Sequence, residues 1–507
     1  MDHYDTLPYE SIPFPDTHPT ALNMLGRLFG IDAASATRCR VLELGCATGG
    51  NLIPMAWHLR GSEFVGIDLS AGQIDTGNAI IGELGLENVR LVQADIRQLD
   101  NSFGQFDYII AHGVLSWVPS DVQQALFRLF QHRLGPEGIG YISFNVSPGW
   151  HARSALRDML LYHTRDLEDP VTRLNRARDF LGLLKEIYAS NDTPAAQALL
   201  AEIHSLDDAH PSYLFHEYLE TNNRSFTFDE FRRQLTEHGL RYLCDSRLHT
   251  MFGSNISTTG EHFLDTVDSD IAHEQYLDFF SQRTFRQSLV VHEQIEPNFE
   301  IDLELLDHLH CASDLRPQSS TDQGDNEKAI FHTANGKPVE VGDPLAAAML
   351  RILYQCFPST VPMAQLAAEV IAKHADAEER DAWRTEIFSL FANNLVILTS
   401  EPHRFDSPQH ELPQTGRLAQ VLLGFAWQHI PTVWHHSLDI DDFTRCLLSH
   451  LDGKQDQAAL LTCLGDDVQS GKLQLPIAGT DNEQLQELLA LNTSRLLEIF
   501  ARNGILD

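Results

Sequence analysis

The sequence predicts an α/β protein with a doubly wound, mostly parallel sheet. Five apolar runs of strand length alternate with segments whose apolar residues recur at helical spacing. Parallel strands need crossover helices, and this alternation supplies them. The predicted strands are 41–44, 63–68, 89–93, 106–111 and 138–145, and the predicted helices between them are 52–59, 71–84 and 121–134. In such a sheet a ligand binds at the carboxyl ends of the strands.

The turn after the first strand indicates the kind of ligand. It runs from Glu43 to Asn51 and contains Gly45 and Gly49, which let the backbone turn sharply and approach a ligand closely. Its spacing differs from the Gly-x-Gly-x-x-Gly turn of dinucleotide-binding proteins. The carboxylate of Glu43, at the end of the strand, would repel a diphosphate but suits a ligand that carries an ammonium or a sulfonium.

Further acids follow the next two strands. Asp68 ends the second strand, nineteen residues after Gly49, where a carboxylate can accept hydrogen bonds from both hydroxyls of a ribose. Asp95 and Ile96 follow the third strand, where they could flank an adenine ring. The turn and these residues together predict a positively charged nucleoside ligand.

With these residues the chain resembles the class I S-adenosylmethionine-dependent methyltransferases, whose turn has the pattern acid-x-Gly-x-Gly-x-Gly. Ala47 stands at the middle glycine, a departure that is tolerable if Ala47 keeps a negative φ. The resemblance implies S-adenosylmethionine as cofactor and a seven-stranded sheet, completed by strands at 240–245 and 285–291. The expected cofactor-binding residues are Glu43, Gly45, Cys46, Ala47, Gly49, Asn51, Asp68, Leu69, Gln73, Asp95, Ile96 and His112.

Other segments resemble the methyltransferases that carry a methyltransferase regulatory domain. These segments are Tyr9, Phe14-Pro15-x-x-His18-Pro19, the run 112–119 and Asn145-x-x-Pro148-Gly149-Trp150, and residues 213–219 and 282–287 resemble the regulatory region itself. The group includes rickettsial lysine methyltransferases that act on outer-membrane proteins. The resemblance therefore implies methylation of lysine side chains on a protein substrate.

Five residues near the predicted ligand edge are candidates for handling the methyl acceptor. They are Tyr9, His112, Trp117, Asn145 and Trp150. A desolvated aromatic channel lowers the pKa of an incoming amine, and a side-chain oxygen can orient its lone pair. Structural roles stay open for most of them: Trp117 can belong to the core, and Tyr9 can hold the N-terminal segment in place. Asn145 and Trp150 can serve the Pro-Gly turn beside them.

The chain is too long for one hydrophobic core, and its patterns predict several parts. We expect a methyltransferase core with an N-terminal segment over the ligand edge at 1–150, a helical insertion at 151–223, the completion of the sheet with the regulatory region at 224–296, a linker at 297–337 and a mainly helical C-terminal domain at 338–507. Three short helices and a hairpin over 345–398 predict a winged-helix-like unit in the last part.

Composition restricts the partners and the compartment. The chain has 36 basic and 71 acidic residues, a net charge of −35, and a surface so acidic repels nucleic acid. It attracts a basic protein, although solubility alone also explains it. No apolar run reaches the length of a membrane span, and the N-terminus lacks a signal-peptide pattern. We expect a cytoplasmic protein without membrane insertion.

The sequence patterns predict neither disulfides nor a metal. Seven cysteines are scattered singly, and the 25 histidines form no His-x-x-x-His pattern with a partnering acid. The leading hypothesis is therefore a protein lysine methyltransferase that needs only S-adenosylmethionine. A small-molecule methyltransferase and a non-catalytic S-adenosylmethionine-binding scaffold are the alternatives. The identity of the acceptor, the number of methyl groups and the oligomeric state stay open, and a homodimer is compatible with the sequence.

Overall fold

The architecture rests on one seven-stranded sheet. The computed structural model describes residues 11–99, 101–318, 329–374, 382–405, 412–474 and 482–507, so the acceptor candidate Tyr9 lies outside the described residues. The strands are β1 (Arg40–Leu44), β2 (Glu63–Asp68), β3 (Val89–Gln93), β4 (Phe106–Ala111), β5 (Leu134–Asn145), β6 (Leu240–Asp245) and β7 (Phe285–His292). Their order in the sheet is β3-β2-β1-β4-β5-β7-β6.

The sheet is parallel except at β7. Strands β1 to β5 run parallel, β7 is antiparallel to β5, and β6 is antiparallel to β7. The strand order reverses between β1 and β4, and this reversal opens a crevice at the carboxyl ends of the strands. Both faces of the sheet are buried, with Val41 on one side and Leu42 and Leu44 on the other. The predicted α/β fold class is confirmed.

Helices cover both faces of the sheet, and some of them begin at side-chain caps. The helices around the sheet are α1 (Pro19–Leu28), α2 (Leu52–His58), α3 (Ala71–Leu84), α4 (Ser120–Arg133) and α9 (Phe228–Glu237). Ser70 caps α3 by accepting the backbone N–H of Gln73 at 3.2 Å. Thr227 and Glu230 form a capping box at the start of α9.

The helical insertion after β5 has its own core. It consists of α5 (His151–Thr164), α6 (Pro170–Ala189), α7 (Pro194–His204) and α8 (Pro211–Tyr218). Leu156, Leu160, Leu181 and Phe215 are buried together between these helices. The helical character expected for 151–223 is therefore present, and α8 brings the end of the insertion back to the ligand edge of the sheet.

A buried ion-pair network ties the last two strands together. Two helices, α10 (Thr258–Leu264) and α11 (Asp270–Ser281), lie between β6 and β7. The fully buried guanidinium of Arg286 on β7 pairs with Asp245 at 2.9 Å, Asp278 at 3.0 Å and Glu274 at 2.8 Å. Each carboxylate compensates the burial of the cation, so the removal of a single partner is costly.

The segment 297–337 is more than the linker that the sequence predicts. Its described part contains β8 (His310–Ala312), β9 (Arg316–Pro317) and β10 (Ala329–His332), and β10 also pairs with β11 (Pro338–Val341). Buried side chains there, Leu306, Cys311 and Phe331, join the hydrophobic cluster on one face of the main sheet. The prediction was wrong because these strands are only two to four residues long, and because β8 pairs with the distant residues 361–362 and 397–399.

The C-terminal part is mainly helical. Its helices are α12 (Pro344–Cys356), α13 (Met363–His374), α14 (Ala382–Ala392), α15 (Arg417–Gly424), α16 (Asp442–His450), α17 (Gln457–Gln469) and α18 (Asn482–Arg502), and its strands are β12 (Val361–Pro362), β13 (Ile397–Thr399), β14 (His429–Pro431) and β15 (Ser437–Asp439). The three helices predicted over 345–398 are present. However, β13 pairs with β8 instead of forming a local hairpin. None of the described helices combines the length and apolar character needed to cross a membrane.

Candidate active site

A cavity of about 680 Å³ lies at the carboxyl ends of the strands. This volume is in the range of small-molecule binding sites. Its walls come from the ends of β1 to β5, from Ser11, Ile12 and Phe14 of the N-terminal segment, and from α8. The described residues of the N-terminal segment thus line the edge of the sheet that the sequence predicts this segment to cover. The Gly50 backbone N–H donates to Ser11 Oγ at 2.7 Å, and this contact fixes the segment on the turn.

The turn after β1 contains a strained alanine. Gly45 and Gly49 have φ values of +72° and +78°, and Ala47 has a φ of +50°, so the expectation of a negative φ was wrong. The left-handed conformation costs a non-glycine residue about 1 kcal/mol. In this conformation the Ala47 N–H donates to Asp68 Oδ2 at 2.9 Å, and this hydrogen bond compensates the backbone strain. Gly49 does not line the cavity; its N–H donates to Cys46 and closes the turn.

Glu43 presents a buried carboxyl group to the cavity. Its Oε1 accepts a hydrogen bond from Asn51 Nδ2 at 2.8 Å, whereas its Oε2 is buried and has no partner within the described residues. Burial raises the pKa of Glu43 to about 8, the hydrogen bond from Asn51 lowers it and the charge of Asp68 raises it further. Glu43 is therefore mostly protonated at neutral pH until a cation enters the cavity.

Asn51 joins Glu43 to two distant parts of the chain. Its Oδ1 accepts the backbone N–H of Phe14 at 3.0 Å. The same oxygen lies 2.7 Å from Nε2 of His435, a buried residue of the C-terminal part with a φ of +60°. Because Asn51 only accepts at this oxygen, His435 is the donor. The position of Glu43 thus depends on contacts from both ends of the chain.

The two other acids expected to bind the cofactor are held differently. Asp68 accepts the N–H groups of Ala47 and Ser70, each at 2.9 Å, one on each carboxylate oxygen. Asp95 forms a bidentate pair with Arg97, with a closest distance of 2.6 Å, and this hydrogen-bonded pair lowers the pKa of Asp95. Leu69, between them, lines the cavity with a side chain that is 59 % exposed.

His112 is a neutral donor at the centre of the cavity wall. Gln287 Nε2 donates to Asp16 Oδ2 at 3.1 Å and to the Tyr141 hydroxyl at 2.8 Å. The Tyr141 proton is then directed to Nδ1 of His112, 2.9 Å away, so Nε2 carries the imidazole proton. Burial lowers the pKa of His112 to about 4. The ring packs against Phe14, with 3.9 Å between ring centroids.

Two indole rings and an amide also line the cavity. Trp117 and Trp150 meet edge to face, with 6.2 Å between ring centroids. Trp150 Nε1 and Asn145 Nδ2 are buried and have no hydrogen-bond partner in the part of the chain that the structure describes. Unpaired buried donors of this kind are typical of a site that a ligand completes.

The structure adds a residue that the sequence did not single out as functional. Glu217 on α8 lines the same cavity, together with Tyr213, His216 and Arg153 of the insertion. Burial raises the pKa of Glu217 to about 7, while the nearby charges of Arg153 and His216 lower it. The run 213–219, rich in aromatics and carrying His216 and Glu217, was visible in the sequence, but nothing local indicated that it reaches the cavity.

Nearly all predicted site residues that the structure describes share this cavity. The lining includes Glu43, Gly45, Cys46, Ala47, Asn51, Asp68, Leu69, Gln73, Asp95, Ile96, His112, Trp117, Asn145 and Trp150. A seven-stranded sheet of this order, with an acid and a glycine-containing turn after its first strand, defines the class of S-adenosylmethionine-dependent methyltransferases.

Comparisons with known proteins agree with this class. Residues 41–138 match the family model of a methyltransferase domain, residues 210–292 that of a predicted methyltransferase regulatory domain and residues 411–505 that of a PKMT C-terminal winged helix domain. The matched winged helix domain therefore lies C-terminal to residues 345–398, where the sequence predicted a winged-helix-like unit.

Two full-length similarities define the family. An uncharacterized protein of Rickettsia prowazekii, RP789, is 31% identical over 100% of this chain and 94% of its own length. The solved structure of PKMT2 from Rickettsia typhi in complex with AdoHcy has a TM-score of 0.86 and 26% identity, and covers 98% of this chain and 100% of that chain. The chain belongs to this family of S-adenosylmethionine-dependent methyltransferases with a regulatory domain and a C-terminal winged helix domain.

Proposed function

We propose that the protein transfers the methyl group of S-adenosylmethionine to lysine side chains of a protein substrate. The observation that carries the proposal is Glu217, an acid whose pKa burial raises to about 7 and which lines the same cavity as Trp117 and Trp150. A carboxylate within aromatic walls suits an amine that must be bound, desolvated and oriented. The name PKMT, for protein lysine methyltransferase, of the structural neighbour supports the same substrate class.

The residues at the ends of β1 to β3 fit S-adenosylmethionine. Glu43 Oε2, buried without a partner, suits the ammonium group of the cofactor. Asp68 lines the cavity with a carboxylate that is oriented by the N–H groups of Ala47 and Ser70, and such a group can accept from ribose hydroxyls. Ile96 and the exposed side chain of Leu69 offer apolar surface for the adenine. When bound, the cofactor supplies an electrophilic methyl group on a sulfonium.

The residues at the ends of β4 and β5 and on α8 would handle the lysine. A lysine ammonium has a pKa of about 10.4 in water, and it must lose a proton before it can attack. Burial between Trp117 and Trp150 favours the neutral amine. The carboxylate of Glu217 then accepts a hydrogen bond from the amine and directs its lone pair toward the methyl group.

His112 has a positioning role in this proposal. Because Nδ1 accepts the Tyr141 proton, the remaining nitrogen carries a hydrogen and donates. His112 therefore orients a carbonyl or carboxylate oxygen of the bound ligands, and it does not remove the proton from lysine.

We also expect the protein in the cytoplasm, since all seven cysteines lie within the described residues and are free thiols.

Incubation with cofactor labelled in its methyl group tests the proposal. The full chain and an Asp68→Ala control are mixed with a whole-cell lysate, and acid hydrolysates of the labelled proteins are separated into amino acids. The expected result is label in methylated lysine, absent with Asp68→Ala. Label confined to small extractable molecules would favour the metabolite methyltransferase instead, and label in another amino acid would exclude lysine as the acceptor.

A further inference from the structure

Three metal-binding side chains meet in the C-terminal part, far along the chain from the cavity. Cys446 and His450 lie one helical turn apart on α16, and Asp467 lies on the neighbouring helix α17. Cys446 Sγ is 3.1 Å and His450 Nε2 is 2.7 Å from Asp467 Oδ2. All three potential ligand atoms lie within 4.8 Å of one another. We propose that these residues bind one Zn²⁺ ion that clamps α16 to α17.

The geometry is close to that of a zinc site. With Zn–S of about 2.3 Å and Zn–N and Zn–O of about 2.0 Å, a tetrahedral site places sulfur about 3.5 Å and nitrogen about 3.3 Å from the ligand oxygen. The observed separations of 3.1 and 2.7 Å differ from these by about half an ångström, a shift that side-chain rotation can supply. A thiolate combined with an imidazole favours Zn²⁺ over Mg²⁺ or Ca²⁺.

Helical spacing brings two of the ligands together on α16. A spacing of four residues puts Cys446 and His450 on one face of α16, as in a His-x-x-x-His pair. Cys463 precedes Asp467 by the same spacing on α17, but its thiol donates to Gln455 Oε1 at 3.3 Å and does not belong to the group of three. Ligands from two facing helices resemble a metal site built from helix surfaces, with a water as the fourth ligand.

Lys472 competes with the metal. Its Nζ donates to Asp467 Oδ2 at 2.9 Å, and its side chain is 60% exposed, so it can turn away into solvent. Metal binding breaks the S–H bond of Cys446 and forms a Zn–S bond, and the thiol proton goes to solvent. His450 binds through Nε2 as neutral imidazole, with its proton on Nδ1.

Titration of the full chain with Co²⁺ and Zn²⁺ tests the proposal. Co²⁺ reports on the ligands by its colour: a tetrahedral thiolate site shows a thiolate-to-metal charge-transfer band. We expect this band and one equivalent of tightly bound Zn²⁺ for the wild type and for Cys356→Ser, an exposed cysteine elsewhere in the C-terminal part. Cys446→Ser loses the band and this equivalent, and Lys472→Met binds Zn²⁺ several-fold more tightly.

Thermal melting supplies a second readout. Zn²⁺ raises the melting temperature of the wild type and Cys356→Ser but leaves that of Cys446→Ser unchanged. The proposal is overturned if no thiolate band forms, if Cys446→Ser binds as the wild type does, or if Lys472→Met weakens binding. Circular dichroism of each variant shows that it is folded, and binding by the many histidines elsewhere would be equal in both cysteine variants.

Discussion

The two halves of the cavity differ in how their polar groups are satisfied. In the half formed by β1 to β3, Asp68 is held by two backbone N–H groups and Asp95 by Arg97. In the half formed by β4, β5 and α8, Asn145 Nδ2 and Trp150 Nε1 have no partner, within the described residues. A buried donor without a partner costs about 1–3 kcal/mol. Asp68 and Asp95 of the first half are therefore preorganised, whereas Glu43 Oε2 in that half and the two donors of the second half are completed by what binds there.

The largest expected effect is on the preorganised half. Asp68→Ala removes the acceptor of the Ala47 N–H and the expected partner of the ribose, and hydrogen bonds to charged groups contribute about 1.5–3 kcal/mol each. We expect affinity for S-adenosylmethionine and S-adenosylhomocysteine to fall about 100-fold or more, measured by calorimetry. Asp75→Ala, an exposed acid on α3, is the matched control and should bind normally. Unchanged binding by Asp68→Ala would place the cofactor elsewhere.

The pH dependence of cofactor binding gives the next largest effect. Because the pKa of Glu43 is raised to about 8, the free protein must lose a proton before Glu43 can pair with an ammonium. Binding therefore tightens as pH rises, about tenfold from pH 6 to pH 7, and levels near pH 8, where the ligand ammonium begins to lose its own proton. Calorimetry in buffers of different ionisation enthalpy should detect proton release.

The Glu43→Gln variant tests whether Glu43 is the group that causes this pH dependence of cofactor binding. It keeps the hydrogen bond from Asn51 possible and removes the titrating group, so the affinity should become weaker at pH 8 and flat between pH 6 and pH 7. A variant whose affinity still rises tenfold over that range would assign the titration to another group.

In the half of the cavity completed by the acceptor, Glu217→Gln should slow methyl transfer about tenfold at pH 8 and leave cofactor affinity unchanged. Since burial raises the pKa of Glu217 to about 7, wild type and variant should converge below pH 6, where the wild-type carboxyl is protonated. The ratio of their rates should rise through pH 7 and level off above it. A constant ratio across this range would show that Glu217 acts through its size or packing and not through its charge.

The two halves of the cavity also differ in how far the sequence could predict them. The β1–turn–α2 unit is local, so the strand and helix periods predict the position of Glu43 and Gly45. Asp68 was predicted from its place at the end of the next strand, nineteen residues after Gly49. Glu217 reaches the cavity only because the helical insertion folds back, and no local pattern encodes that path. The contact between Asn51 and His435 spans 384 residues. The conformation of Ala47 was missed because it depends on the position of Asp68 on the neighbouring strand.

A smaller effect is expected from the C-terminal part. His435→Ala removes the 2.7 Å hydrogen bond to Asn51 Oδ1 but leaves the Phe14 N–H on the same oxygen. The loss of one hydrogen bond of about 1 kcal/mol corresponds to roughly a fivefold weaker affinity for the cofactor. His436→Ala, the adjacent histidine, is the control and should bind as the wild type. Equal affinities for both variants would mean that the C-terminal part does not position Glu43.

The smallest effect concerns the strained alanine of the turn. Ala47→Gly relieves about 1 kcal/mol of strain at the left-handed position. Glycine also increases the conformational entropy of the unfolded chain, which destabilises the folded state by a similar free energy. The two terms nearly cancel, so the free energy of unfolding should change by less than about 0.5 kcal/mol and the cofactor affinity should stay the same. Ala47→Val places a β-branched residue at the same positive φ, where it is a conformational outlier, so chemical denaturation should show a clear loss of stability. If Ala47→Val were as stable as the wild type, the turn would have to relax away from the φ of +50° that directs the N–H to Asp68.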